Sequence, residues 1–272
     1  MNVRRWFGAS ALLAAFLIPV APAAQQPKRE FLLVYEDHVK PSMVSPYEAS
    51  TKELIKALAD AKAASSSFEM MTLMYDDFTY IYLTPLKNYS ALEGVDGDWE
   101  AIGEKVGKER WKQIMASAAP TMDGYSQMIA EHLPAISYLP AAPRLKPSEM
   151  TFVVDDYLYV LPGKQEEFKA LCKQIAELAR SKGLTNGWDL YQVVFGENMP
   201  SYVVGMGAKD ASDFAAWDQK DMAAFGEEGK ALIAKAVGLC RKTERRTGWM
   251  RPDLSYHIPA PEASKPEPSK KK

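Results

Sequence analysis

The chain states one pattern twice. Pro134-Ala135-Ile136-Ser137-Tyr138 returns as Pro252-Asp253-Leu254-Ser255-Tyr256. Val39-Lys40-Pro41-Ser42, leading into Tyr47, returns as Val160-Leu161-Pro162-Gly163, leading into Phe168. Lys87-Asn88-Tyr89-Ser90-Ala91-Leu92 returns as Lys209-Asp210-Ala211-Ser212-Asp213-Phe214. The offset stays between 118 and 122 residues and the order is kept. A period this long is a duplicated domain and not a solenoid unit. Whatever one half folds into, the other half folds into as well, and the two must share a core or stand apart.

Reading along repeat one, Phe31–Tyr35 is a short apolar run of strand type. Ser45-Pro46-Tyr47-Glu48 has the form of a capping box with Pro at the first helical position, followed by a helix to about residue 64. Ser65-Ser66-Ser67 ends it. Strands are expected over 68–75 and 78–83, with Asp76-Asp77 as the turn, then a helical region over 99–119 and a last strand near 125–132. Repeat two reads as strand 152–160, helix 165–181, strands 188–195 and 201–206, helix 211–238 and strand 243–250. Each repeat is therefore βαββαβ, the ferredoxin-like plan. The expected domains are a first repeat over 24–139, a linker over 140–148 containing three prolines, and a second repeat over 149–258.

The strands are apolar on both faces. Over 68–75 one face is Phe68, Met70, Thr72 and Met74, and the other is Glu69, Met71, Leu73 and Tyr75. A sheet with one wet face alternates apolar and polar residues, so both faces here are expected to be covered. Helices cover one side and the sheet of the other repeat covers the opposite side. The fold class is α+β: two tandem ferredoxin-like repeats packed sheet to sheet as an intrachain α/β-barrel. This arrangement, with the Val-Lys-Pro-Ser and Val-Leu-Pro-Gly elements ahead of each first helix, resembles the dimeric α/β-barrel superfamily fused into a pseudo-dimer. Within it the chain is similar to the NIPSNAP and antibiotic-biosynthesis-monooxygenase branches. The resemblance implies a monomer able to stand alone. It brings with it the range of that superfamily: cofactor-free oxygenases, haem-binding enzymes, dye-type peroxidases and proteins with no known activity.

The ends and the charge bound the partners. Arg4 and Arg5, the apolar run from Ala9 to Val20 and Ala21-Pro22-Ala23 have the form of an export signal over 1–23, implying a periplasmic or secreted product. The full chain carries a net charge of −2, and loss of Arg4 and Arg5 leaves −4. That argues against a nucleic-acid partner. No second long apolar run follows, so no membrane span is expected after the signal. Residues 259–272, rich in Pro, Ser, Lys and Glu, read as a disordered tail.

Candidate chemistry is sparse. His132 ends the last strand of repeat one, and its counterpart is Met250, so one half alone carries an imidazole that could act as a base or a haem ligand. Glu69 and Asp189 are placed at matching strand starts, where two carboxylates facing one cavity would raise each other's pKa and do acid–base work. The alternative is charged strand ends in water. Tyr35, Met70, Tyr82, Trp188, Tyr191 and Tyr202 belong to an aromatic and methionine set that suits either a flat apolar ligand or plain core packing. Cys172 and Cys240 both lie in repeat two, near facing helix ends in the expected fold. They read either as a disulfide or as two small buried hydrophobes. Haem-binding relatives with fused repeats are expected to carry an axial His in the second repeat, and none stands there before Met250. No metal-ligand spacing is present, and no dinucleotide, nucleotide-phosphate, serine-hydrolase or zinc-protease motif is found. The sequence thus supports a small-molecule binder with no cofactor. The next reading is a cofactor-independent oxygenase on an aromatic molecule with His132 as base, and the third is haem binding. Polar residues clustered around a cavity inside the barrel would count against a non-catalytic barrel.

Overall fold

The computed structural model describes residues 29–258. The signal read over 1–23 and the tail read over 259–272 lie outside the described residues. Repeat one runs β1 (Phe31–Val39), α1 (Val44–Asp60), β2 (Met71–Tyr75), β3 (Thr79–Leu86), α2 (Leu92–Val106), α3 (Lys108–Ala118) and β4 (Met122–His132). Repeat two runs β5 (Phe152–Val160), α4 (Gln165–Lys182), β6 (Asp189–Phe195), β7 (Ser201–Ala208), α5 (Ala211–Gly238) and β8 (Cys240–Met250).

Local chemistry moves several expected boundaries. A 3-10 turn over Pro41–Met43 starts the first helix at Val44, so Ser45 falls inside it and makes no cap. Glu48, freed from that role, accepts from Tyr80 Oη at 2.7 Å and pairs with Arg251. The helical region expected from Trp99 begins seven residues earlier, because Asn88 accepts from the Ala91 amide, and Gly107 at φ +98° breaks it into α2 and α3. Asp210 repeats that cap on Asp213 in front of α5, whose regular geometry breaks at Gly226. The strand expected from Phe68 starts at Met71, since Ser65 caps a short turn over Ser66–Phe68.

The eight strands close into one antiparallel barrel in the order β1-β3-β2-β8-β5-β7-β6-β4. Each repeat contributes four neighbouring strands, and the halves join at two seams, β2 with β8 and β4 with β6. A closed barrel has no free edge to template aggregation. The helices pack on the outside. Phe168, Cys172, Leu190 and Tyr202 lie under α4 and α5, and Leu58, Phe68, Met70 and Ile102 lie beneath α1 and α2. Val34, Leu73, Ile81 and Ala130 fill the lumen with Tyr75 and Tyr157. Both strand faces are thus covered, as their composition requires. No helix among the described residues is long and apolar enough to cross a membrane.

The seams explain the repeated Ser-Tyr element. Each copy crosses to the other repeat. Ser137 Oγ accepts from the Leu190 amide at 2.9 Å, and Tyr138 Oη donates to the Leu184 carbonyl at 2.6 Å. Ser255 Oγ accepts from the Thr72 amide at 2.9 Å, and Tyr256 Oη donates to the Ala63 carbonyl at 2.9 Å. The motif is a reciprocal clasp between halves. Gly248 lets the β2–β8 seam close, because a Cβ there would stand 2.1 Å from the Met74 carbonyl oxygen.

Candidate functional site

A cavity of about 310 Å³ lies between α1, α2, α3 and the outer face of repeat one. Tyr35, Leu54, Met70, Trp99, Ile114 and Met115 give it an apolar wall. Alternation along β1 and β3 aims Asp37 and Tyr82 outward into the same space. The first turn of α1 sets Tyr47, 1% exposed, against both. Tyr47 Oη donates to Asp37 Oδ2 at 2.6 Å and lies 2.6 Å from Tyr82 Oη. A carboxylate only accepts, so the single proton of Tyr47 goes to Asp37, and its oxygen must accept from Tyr82. The result is a directed chain, Tyr82 to Tyr47 to Asp37. Burial raises the Asp37 carboxyl above its usual range, with the Tyr47 hydrogen bond opposing that rise. Burial also pushes Tyr82 up to about 12 and Tyr47 well above its ordinary value, so both phenols stay protonated.

Repeat two lacks this chain. Phe31 pairs with Leu86 as Phe152 pairs with Ala208, which aligns Asp37 with Leu158 and Tyr82 with Val204. Tyr47 aligns with Phe168. Leu158, Phe168 and Val204 meet in one apolar cluster. The duplicated scaffold therefore needs none of the three polar groups to fold.

The residues singled out from sequence do not gather in one place. His132 does occupy the position of Met250, and it sits at one end of the barrel. Its Nε2 lies 2.8 Å from Asp189 Oδ1, its Nδ1 lies 3.5 Å from Glu30 and its ring packs on Tyr191 at 5.0 Å. Ser137 Oγ is 3.5 Å from the same nitrogen that faces Asp189, and it already donates to the Leu133 carbonyl and accepts from Leu190. That is no nucleophile–base pair.

Glu69 and Asp189 are not equivalent. Met71 pairs with Leu83 as Asp189 pairs with Gly205, so Asp189 takes the place of Met71. Glu69 faces His257 and the Ile258 amide at 2.7 and 2.8 Å and shares no site with Asp189. The aromatic set divides as well. Tyr35, Met70 and Tyr82 line the cavity of repeat one, Trp188 lines a separate one in repeat two, and Tyr191 lies under His132. Tyr202 is fully buried against Phe168. Cys172 and Cys240 are free, and Cys240 begins β8 instead of ending a helix. They pack in one apolar cluster, and burial pushes the Cys172 thiol up to about 12.

Sequence reasoning missed Asp37 and Tyr47, and it missed a polar cluster in the lumen. Tyr75 Oη donates to Asp155 Oδ2 at 2.5 Å and lies 3.2 Å from Tyr157 Oη. The Arg246 guanidinium lies 4.1 Å from the Tyr75 ring centre and reaches Glu36 at 3.3 Å and Asp77 at 3.1 Å. A cavity of about 370 Å³ adjoins it, lined by Glu36, Tyr157, Tyr159 and Arg246. The signal available was a charge inside an apolar strand, Glu36 in β1 and Asp155 in β5. This is the lumenal polar cluster that, on the reading of the sequence, counts against a non-catalytic barrel.

The two sheet–helix cavities carry no histidine, whereas His132 lines a separate cavity of about 500 Å³ at the barrel end with Arg29, Phe31, Leu86 and Tyr191. Among the described residues no group of three or more His, Cys, Asp or Glu is placed to hold a metal ion.

No protein-family model matches the sequence, and no curated protein matches it. Solved structures do match in shape. An anthrone oxidase-like protein superposes with a TM-score of 0.52 at 14% identity, over 83% of this chain and 92% of that one. A protein proposed to be a monooxygenase from Lactobacillus acidophilus superposes with a TM-score of 0.51 at 7% identity, over 84% of this chain and 96% of that one. This chain shares with them the ferredoxin-like α/β-barrel fold, formed here as a pseudo-dimer within a single chain.

Proposed function

We propose that the cavity of repeat one binds a flat aromatic small molecule bearing an acidic O–H or C–H group, and that Tyr82, Tyr47 and Asp37 accept its proton. The observation that carries this reading is the buried chain from Tyr82 to Asp37 in an apolar cavity, present in one half of a duplicated fold and replaced by Leu158, Phe168 and Val204 in the other. Trp99, Met70 and Met115 supply the apolar and aromatic contact area, and the hydroxyl of Tyr82 orients the polar edge. A carboxylate raised by burial is a stronger base than one in water, which suits proton abstraction near neutral pH. The resulting anion is electron-rich, as a cofactor-independent oxygenation of an aromatic molecule requires. Asp37 replaces His132 as the base in this reading. Fold likeness alone selects no chemistry, and the named side chains bear the argument. An export signal over 1–23, with a periplasmic or secreted product, belongs to the same proposal.

The test is oxygen uptake with anthrone, alongside equilibrium binding of 1-naphthol read by tryptophan quenching. Wild type is expected to bind 1-naphthol and consume oxygen. Asp37→Asn is expected to bind and to lose turnover, and Tyr82→Phe to weaken both. Unchanged turnover in Asp37→Asn would refute the assignment of the base. Unchanged binding when Leu54→Trp fills the cavity would refute the site.

A further inference from the structure

We infer that the barrel lumen holds a second site, independent of the cavity of repeat one, for a small organic cation: a protonated amine on a compact apolar body, with Glu36 as its carboxylate partner. The cavity of about 370 Å³ beside Arg246 lies where β1 and β5 end and β4 and β8 begin, away from His132 at the other end of the barrel. Its volume falls within the range of roughly 300–1,000 Å³ usual for small-molecule sites. Glu36 lines it and is 7% exposed. Its Oε2 accepts from Arg246 Nη1 at 3.3 Å, and its Oε1 has no hydrogen-bond partner among the described residues. Buried polar groups are normally paired, so an unmatched carboxylate oxygen calls for a donor. Oε1 is not sealed off. The unpaired buried atoms that keep no exposed surface are Tyr202 Oη, Trp217 Nε1 and Arg246 Nε. An N–H donor in the cavity can therefore reach it.

The charge of the lining selects the donor. Glu36, Glu197 and Glu244 stand against one guanidinium, Arg246. Lys242 answers Glu244 from the rim, and Arg246 is shared between Glu36 and Asp77. The cavity is left negative, which favours a cation over an anion or a neutral molecule. Among the described residues the carboxylates are not grouped as metal ligands, so the cation is organic. Met128, Val193 and the Tyr157 and Tyr159 rings meet its apolar body, and tyrosine faces attract an ammonium. The Tyr75 and Tyr159 rings already do so with Arg246 at 4.1 Å and Lys242 at 5.1 Å. The ladders show that the fold does not require these charges. Val34 pairs with Met128 as Asp155 pairs with Arg246, and Glu36 pairs with Ser126 as Tyr157 pairs with Glu244. An apolar pair thus serves one half of the lumen where a charged pair stands in the other, and Glu36 itself corresponds to a tyrosine.

The experiment titrates the protein calorimetrically, in phosphate buffer near neutral pH, with 2-phenylethylamine and with 2-phenylethanol, its neutral counterpart of the same size. Wild type is expected to bind the amine saturably and the alcohol about tenfold more weakly, the worth of one charge-assisted hydrogen bond. Glu36→Gln, which keeps an acceptor for Arg246, is expected to weaken amine binding about tenfold and to leave the alcohol nearly unchanged. Ser126→Lys removes no contact of Glu36 and sets an ammonium opposite it across the β1–β4 ladder, so it is expected to abolish amine binding in a protein whose circular dichroism is that of wild type. Equal affinity for amine and alcohol, undiminished amine binding in Glu36→Gln, or amine binding retained in a folded Ser126→Lys overturns the site. Leu54→Trp, which fills the cavity of repeat one, is expected to lose 1-naphthol and keep the amine, so failure of either site is read separately. Loss of the amine in Leu54→Trp would place it in the wrong cavity and overturn the inference.

Discussion

Asp155 should make this protein less stable at neutral pH than it would be with an amide in its place. The carboxyl lies inside the barrel with Tyr75, Tyr157 and Arg246 around it. Its side chain is half-buried. Burial nevertheless outweighs the hydrogen bond from Tyr75 and lifts its pKa from 3.8 to about 6. A carboxyl raised in the folded state binds its proton more tightly folded than unfolded. Its favourable contribution is complete below the unfolded pKa and is lost as pH rises through the folded one. That rise corresponds to at most about 3 kcal/mol lost between roughly pH 4 and pH 7. Asp155→Asn keeps an oxygen to accept from Tyr75 and removes the charge. Urea unfolding followed by circular dichroism across that interval is expected to show the variant gaining on wild type as pH rises, toward about 3 kcal/mol. A difference that does not change with pH, or a variant that is the less stable at neutral pH, would refute the reasoning.

Other outcomes follow from the seams and the core. Gly248→Ala places a methyl group against the Met74 carbonyl and is expected to destabilise the barrel by about 3 kcal/mol, seen as a lower thermal midpoint. Ser137→Ala removes the acceptor of the buried Leu190 amide and should cost about 1–3 kcal/mol in urea unfolding; Ser255→Ala should cost a similar amount at the other seam. Protein purified without reductant should yield two titratable thiols after unfolding, and in the native state Cys240 should react well before buried Cys172. A count of zero would show that the two are bridged.

Duplication, period and composition were enough to place the strands and helices in order and to require cover on both sheet faces. The His132–Met250 correspondence was equally legible, because it follows from the repeat offset, whereas the Asn88 cap, which starts α2 seven residues ahead of Trp99, was not read. What stayed hidden depends on register between strands far apart in the chain. Glu69 and Asp189 look equivalent by offset, yet ladder pairing shifts β6 by two residues against that count and separates them. Asp37 reads as a charged strand end until the first turn of α1 brings Tyr47 across it and pairing with β3 brings Tyr82 beside it. Asp155 and Arg246 are far apart in sequence and directly opposed in the barrel wall. Local sequence fixes which face of its own element a side chain takes. Only closure of the eight strands decides which other faces it meets, and with that whether a carboxylate lies in water, in an ion pair or in an apolar cavity as a base.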